Sequence, residues 1–260
     1  MSNTITPYFA PFQSPASVRC LIYFLGTHDY QSIRHWIMRI TDNDYTSIHL
    51  KSCRDCAKED ESNYGSAYWH LPHQYPLATH CLKHKKVLDP CLPDLTAGTQ
   101  DWPLPSYTQP CTTEQIDYHS PVSQAQFLIT RETIALARLG LSKSFAPDLV
   151  NALYDRQMWR FDDYPRSLHG ASCSLARFSR LLSSESSRMI IPTNNAEATN
   201  FLNLFAPGST PFTGHPNRHL MMICWLFGSL NNFIVAYDQL ESEQITECEH
   251  SRKSSCSKPK

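Results

Sequence analysis

The chain has 260 residues, of which 41% are apolar and 18% are charged, and its formal net charge at pH 7 is −1. This length can bury a hydrophobic core, and the composition is that of a globular protein, which excludes a largely disordered chain. The low net charge excludes binding of nucleic acid through overall positive charge, so a contact with DNA requires a local basic patch.

Residues 1–48 form an N-terminal segment whose first part, residues 1–20, is rich in Pro and is predicted to be irregular. Residues 21–42 are predicted to form one helix or two short helices. Four apolar side chains recur there at i, i+3, i+4 and i+7, which is the spacing of one helix face. They are Ile33, Trp36, Ile37 and Ile40.

No targeting or membrane segment is predicted. The first residues, MSNTITPYFAPFQ, have neither the basic start nor the apolar core of a signal peptide. The longest apolar run, Leu220–Phe227, is too short to span a bilayer. We therefore expect a cytoplasmic protein. In that compartment its ten cysteines are better explained by reduced thiols and a metal ion than by a disulfide framework.

The strongest motif lies in residues 49–90. Cys53 and Cys56 are separated by two residues, and Cys81 and His84 repeat that spacing further along the chain. Four such ligands close a tetrahedron around a structural Zn²⁺ and leave no coordination position open for catalysis. The alternative interpretation is a set of unrelated buried cysteines and a surface histidine.

Other side chains of this region compete for the same roles. His73 is an alternative fourth ligand that lacks the two-residue spacing, and Cys91 with Cys111 is a weakly supported second site. The loop between the two pairs is rich in aromatic residues, which we expect to supply the core of a module that is otherwise small. These residues are Tyr64, Tyr68, Trp69 and Tyr75.

The predicted fold class is mainly α, with a small zinc-stabilised module of the ribbon or knuckle type over residues 49–90. Residues 91–121 are rich in Pro and are predicted to be a linker. Residues 122–240 are predicted to form a helical domain, and residues 241–260 a disordered basic tail.

Helix boundaries within the helical domain are predicted from capping residues. The last helix is expected to run unbroken to Tyr237, because its apolar stripe keeps one helical period. The boundary residues are Gly140 after the first helix, Pro147 in the first turn of the second, Asn194 or Asn195 before the fourth, and Pro216 in the first turn of the last.

Residues 125–158, a helix, a Gly turn and a helix, have two interpretations. One is a helix-turn-helix whose second helix enters the major groove of DNA, and the other is a packing unit with a solvated face. Lys83, Lys85 and Lys86 beside the metal ligands are equally open between phosphate contacts and ordinary surface charge. The predicted DNA contacts are Arg131, Arg138, Lys143, Arg156 and Arg160.

The cysteine and histidine pairs belong to a longer string, Cys-x2-Cys-x3-Asp, Tyr-Gly-x2-Tyr-Trp, His-Gln-x-Pro and Cys-x2-His. This string resembles the TniQ/TnsD family of transposon target-site selection proteins. The matching residues are Cys53, Cys56, Asp60, Tyr64, Gly65, Tyr68, Trp69, His73, Gln74, Pro76, Cys81, His84 and Leu88. Weaker likeness continues in YFAPF (8–12), in 140–154 and in 214–233.

The resemblance implies a protein without enzymatic activity. Such proteins choose where a transposon inserts, by binding target DNA or by docking onto an RNA-guided, Cascade-like complex, and they recruit an AAA+ transposition ATPase. A homodimer is an arrangement that the sequence leaves open. Family members usually carry a helix-turn-helix region before the YFAPF-like segment, so we expect a chain that is truncated relative to the family. Arg54 and Lys85 replace a usual Pro and Gly.

No catalytic motif was found, since the chain has no P-loop, GxSxG or HExxH sequence. His215 and His219 are expected to be a helix cap and a packed core residue, and not a metal pair. Two further hypotheses stand beside the target-site adaptor. One is a zinc-containing DNA-binding transcriptional regulator, and the other, a zinc hydrolase, is disfavoured by the closed ligand set.

Overall fold

The computed structural model describes residues 4–40, 50–91, 104–105, 117, 119–161, 164, 166–182, 191–205 and 214–255. In these parts the protein is mainly helical, with two small two-stranded sheets in the N-terminal third, which confirms the predicted fold class. The predicted linker, residues 91–121, lies almost wholly outside the described residues.

The N-terminal segment holds a 3₁₀ turn, Thr6–Phe9, and two helices, α1 (Pro15–Gly26) and α2 (Tyr30–Ile40). Helix α1 begins within the part that was predicted to be irregular. It begins there because the Ser14 side chain accepts a hydrogen bond from the Ser17 N–H (3.2 Å) and Pro15 occupies the first turn. Of the two predicted alternatives, one helix or two short helices, the second is found, and the first helix begins earlier than predicted.

The YFAPF segment lies in the core of the helical region. Tyr8, Phe9 and Phe12 are buried, and the Tyr8 hydroxyl donates to Oδ1 of Asn217 at 2.6 Å. Phe12 stacks on the ring of His219, with ring centroids 4.1 Å apart. Because these contacts reach more than 200 positions along the chain, the N-terminal segment is packed together with the C-terminal helices.

The metal-ligand region consists of short elements. Strand β1 (Leu50–Ser52) pairs antiparallel with β4 (Asp89–Cys91), so the beginning and end of the region lie side by side. Strands β2 (His80–Cys81) and β3 (Lys86–Val87) form a second antiparallel pair. Along the chain, helix α3 (Arg54–Tyr64) and the single turn α4 (Leu71–Gln74) lie between β1 and β2.

The remaining helices begin and end close to the predicted capping residues. Gly140 follows α5 with a φ of 50°, Pro147 lies in the first turn of α6, and the Asn194 side chain accepts the Glu197 N–H before α8. His215 caps α9, as expected. The helices are α5 (Pro121–Leu139), α6 (Pro147–Met158), α7 (His169–Leu182), α8 (Asn195–Asn203), α9 (Pro216–Phe227) and α10 (Leu230–Ser255).

The predicted last helix is two helices that meet at an angle of 87°. Gly228, at φ 74°, adopts the left-handed conformation that ends α9. The apolar stripe continues in register across the corner, so the periodicity concealed the break. Helix α10 then continues to Ser255, where a disordered tail from residue 241 was expected.

Charged side chains hold both sides of this corner. Arg160 donates to the carbonyl oxygens of Leu226 (3.1 Å) and Trp225 (3.3 Å), at the negative end of the α9 dipole. The buried carboxylate of Glu132 accepts the Leu230 N–H (2.9 Å), at the positive end of the α10 dipole. The corner is therefore stabilised by a cation at one helix end and an anion at the next.

Among the described residues, no single helix has both the length and the hydrophobicity needed to cross a bilayer, and α9 with α10 reaches that threshold only as the bent pair.

Candidate metal centre

Two local structures bring the four predicted ligands together. Cys53 is the N-cap residue of α3, and Cys56 lies in the first turn of that helix. Cys81 and His84 lie in the hairpin that joins β2 to β3. The sequence spacing suits both structures, because two residues between ligands let both side chains of a pair point to the same side of a tight turn.

The distances among the four ligand atoms fit the tetrahedral coordination of one metal ion. Their mutual distances are all within 4.8 Å, with Cys56 Sγ 3.7 Å from Cys81 Sγ. Nδ1 of His84 lies 3.5 Å from Cys53 Sγ, 3.3 Å from Cys56 Sγ and 3.7 Å from Cys81 Sγ. A tetrahedral Zn²⁺ with bonds of about 2.0–2.3 Å places its ligands about 3.5–3.8 Å apart. The cluster is therefore compatible with a structural metal ion such as zinc.

A carboxylate orients the histidine ligand. Nε2 of His84 lies 3.0 Å from Oε1 of Glu59, which leaves Nδ1 facing the three thiols. The other Glu59 oxygen is paired with Lys83. A hydrogen-bonded carboxylate behind a ligating histidine fixes the ring tautomer and raises its basicity. Sequence reasoning did not identify Glu59. Its position one turn beyond Cys56 would have been a signal, had α3 been predicted.

The three cysteine thiols perturb one another's pKa values. A hydrogen bond with Cys81 raises the pKa of Cys53, and the same bond lowers the pKa of Cys81. Burial raises the pKa of Cys56 to about 11. Three thiolates at this separation repel one another and lack solvent, so only a bound cation would hold all three deprotonated at neutral pH.

The hairpin turn places Lys85 in a backbone conformation that favours Gly. Lys85 has a φ of 54°, and its N–H donates to the Cys81 carbonyl at 2.7 Å. Gly usually occupies this position in the family that the chain resembles, and Gly adopts a positive φ without a Cβ clash. The hairpin keeps its shape with Lys85, at the cost of a strained backbone.

Several residues of the family-like string hold this region together. The Gln74 amide accepts the Lys51 N–H (2.9 Å) and donates to the Lys51 carbonyl (2.8 Å), so it acts as a further partner for β1. Asp60, buried in α3, bonds Nε2 of His70 at 2.8 Å. The Lys51 ammonium donates to the carbonyls of Tyr75 and Ala78, and burial lowers its pKa to about 7.

The aromatic residues only partly behave as expected. Tyr75 is buried, but Tyr64 and Tyr68 are 73% and 48% exposed, and Trp69 is half-buried. The predicted aromatic core was therefore wrong for two of the four rings. The ligand cluster and the neighbouring helices supply that packing instead.

Other histidines of this region lie outside the ligand cluster. His73 is buried outside the cluster, and burial lowers its pKa to about 4. His80 packs its ring on Phe127, with centroids 4.5 Å apart. Cys91 lies in β4, whereas Cys111 is outside the described residues, so the second site is not tested.

The ligand region packs directly on α5. The Thr79 N–H donates to Oγ1 of Thr130 at 3.1 Å, and the His80 ring contacts Phe127 on the same helix. The buried apolar residues of the region belong to one cluster with those of the helices. Contacts between the ligand region and the helices therefore include α5.

The predicted DNA contacts are largely engaged within the protein. Arg131 pairs with Glu132 at 2.7 Å and Lys143 with Asp238 at 2.6 Å, while Arg156 lies 3.8 Å from Glu243. Arg160 bonds the end of α9, and Arg138 is exposed.

The sequence gives the lysines near the ligands two possible roles, phosphate contacts and ordinary surface charge. Lys83 pairs with Glu59, and Lys86 pairs with Asp55 at 2.6 Å. Lys85 is exposed.

The connection between the two helices of the predicted helix-turn-helix, residues 125–158, is too long for that motif. Residues 140–146 separate α5 from α6, a longer connection than the three or four residues of that motif. The structure therefore favours the second interpretation, a packing unit with a solvated face.

Comparisons of the chain with protein-family models, with curated proteins and with solved structures found no match.

Proposed function

We propose that this protein is a non-enzymatic, cytoplasmic target-site selection adaptor of DNA transposition. It binds target DNA, or docks onto an RNA-guided Cascade-like complex, and recruits an AAA+ transposition ATPase. The observation that carries the proposal is the string of residues around the ligand cluster, which resembles the TniQ/TnsD family. The contacts of Gln74 with Lys51 and of Asp60 with His70 support it, because these residues of the string outside the ligand pairs make bonds within the same region.

The metal in this proposal is a structural Zn²⁺ held by Cys53, Cys56, Cys81 and His84. Bound there, the ion supplies folding free energy and no chemistry, since four protein ligands fill a tetrahedral shell. Strands β1–β4 are only two or three residues long, so a metal cross-link would add to the stability of this region. A filled shell supports a binding role over metal-dependent hydrolysis.

The test is capture of a transposition AAA+ ATPase. The zinc-loaded chain is immobilised and incubated with that ATPase and ATP, and an unrelated AAA+ ATPase serves as the negative control. Cys56→Ser removes a ligand and is expected to abolish capture. Cys20→Ser changes an exposed cysteine and is expected to leave capture intact.

The outcomes separate the proposal from its alternative. Selective capture by the parent and by Cys20→Ser supports the adaptor. Binding to DNA upstream of its own gene, without ATPase capture, would instead identify the transcriptional regulator.

A further inference from the structure

Helices α1 and α2 form a compact unit with a short turn. Residues 27–29 alone separate them, which is the connection length of a helix-turn-helix. His28 in the turn has a φ of 56°, and Oδ1 of Asp29 accepts the Ser32 N–H at 3.0 Å. The turn is therefore specified by its own residues, through a left-handed residue followed by a helix cap.

Trp36 fixes α2 on α1. Its side chain is 5% exposed, and Nε1 donates to Oγ of Ser17 at 2.8 Å and to the Ser17 carbonyl at 3.2 Å. Ile40, one turn further, is also buried. Helix α2 consequently has a fixed rotation, and the residues that it presents to solvent are determined.

The solvent-facing side of α2 is basic. Gln31, Arg34, His35 and Arg39 are exposed and follow helical spacing along one face. Among the described residues, no carboxylate lies within ion-pair distance of Arg34 or Arg39, and α2 itself contains no acidic residue. This face differs from residues 131–160, where most of the cations are already engaged.

The side chains of this face suit a nucleic-acid duplex. Arginine bonds guanine edges or phosphates, and glutamine bonds adenine edges. A helix of 11 residues is about 16 Å long, and its width matches a major groove about 12 Å wide. In this type of motif the second helix enters the groove while the first crosses the backbone.

We propose that α1 and α2 form a helix-turn-helix that docks on duplex DNA, with the face Gln31, Arg34, His35 and Arg39 in the major groove. This inference rests on the proposed function, because it names the surface that holds the target DNA. It also replaces residues 125–158 as the DNA-reading unit. On α1, Arg19 is exposed as well.

The experiment measures binding of the full, zinc-loaded chain to a fluorescein-labelled 30-base-pair duplex of random sequence at several salt concentrations. The test variant is Arg34→Ala/Arg39→Ala. The matched control is Arg177→Ala/Arg180→Ala, which removes the same charge from two exposed positions of α7. We expect at least a tenfold loss of affinity and a salt slope lower by about 2 for the test variant, and neither for the control.

A second variant guards against a folding defect. Gln31→Glu adds a negative charge at an exposed position, and we expect it to weaken DNA binding about tenfold with unchanged metal content and thermal unfolding. The proposal is overturned if the parent does not bind duplex DNA, if both double variants lose affinity equally, or if Gln31→Glu and the α2 double variant bind like the parent. Equal binding of an RNA duplex would also overturn it.

ATPase capture separates this inference from the proposed function. If the parent captures the ATPase but α2 contributes nothing to DNA binding, the DNA-reading surface is wrong and the adaptor proposal stands. If DNA binding depends on α2 but the ATPase is not captured, the surface is supported and the adaptor proposal fails. Loss of ATPase capture, with DNA binding intact, in the α2 variant would make the hairpin a protein interface.

Discussion

Glu59 contacts the candidate ligand His84 and is not itself one of the four candidate ligands. It bonds Nε2 of His84 at 3.0 Å and pairs with Lys83, so it holds the ring with Nδ1 toward the thiols. We predict that Glu59→Ala lowers zinc affinity about 10- to 100-fold, because the ring loses its orienting partner. A chelator competition measures this. Glu61→Ala, an exposed change on the same helix, is the control, and an equal loss there would contradict the assignment.

Lys85 gives a second prediction at the scale of single residues. Its positive φ is strained for a residue with a Cβ, by about 1 kcal/mol. Lys85→Gly relieves that strain, although Gly also loses more entropy on folding. We expect a gain in unfolding free energy of up to about 1 kcal/mol, measured by denaturant titration of the zinc-loaded protein. A loss above 1 kcal/mol would show that the lysine side chain contributes an interaction of its own.

At the scale of secondary-structure elements, the corner between α9 and α10 is stabilised by identifiable side-chain contacts. Arg160 donates two hydrogen bonds to the end of α9, and its guanidinium lies over the Trp225 ring, 5.9 Å from the centroid. We predict that Arg160→Ala lowers the unfolding free energy by about 2 kcal/mol, since two charge-assisted bonds are lost. Arg177→Ala, on the exposed side of α7, should change stability by less than about 0.5 kcal/mol. Equal effects would contradict the capping role.

The same corner shows what a sequence pattern can establish. The helix boundaries at Gly140 and Pro147 were predicted, and Asn194 is one of the two caps predicted for α8, because each residue acts on its own backbone neighbourhood. The break at Gly228 was missed, since the apolar period runs across it and its stabilising partners, Glu132 and Arg160, are distant in sequence. The four ligands were likewise predictable from spacing, whereas their outer partners depended on α3 and on the tertiary arrangement.

For the whole molecule, buried histidine predicts a dependence of stability on pH. Burial lowers the pKa of His73 to about 4, from an unfolded value near 6.5. The unfolded chain therefore binds more protons below pH 6.5, and the contribution of neutral His73 is fully present above pH 6.5 and is lost as pH falls toward 4. Between pH 7 and 5 the parent should lose about 2 kcal/mol more stability than His73→Gln.

The control for this effect is the exposed His119, whose replacement by Gln should leave the parent's pH dependence unchanged. Both variants keep the ligand cluster, so weaker metal binding at low pH affects them equally. Identical pH profiles for the parent and for His73→Gln would show that His73 is already accessible to protons in the folded protein.

The ligand cluster and the helices share one core, and this decides how far the effect of metal removal would extend. Strands β1–β4 make few ladder contacts, so without the cross-link, worth about 10 kcal/mol in small zinc domains, residues 50–91 should unfold locally. Thr79 bonds Thr130 and the His80 ring contacts Phe127, so opening should extend to that stretch of α5.

We expect chelation to increase amide exchange in residues 50–91 and 127–130, while α7 and α8 keep their protection. Cys56→Ser should reproduce the pattern without chelator, and Cys20→Ser should not. Unchanged exchange in residues 50–91 would mean that the cluster holds no structural metal, and loss of protection throughout the chain would mean that the region is not a separable folding unit.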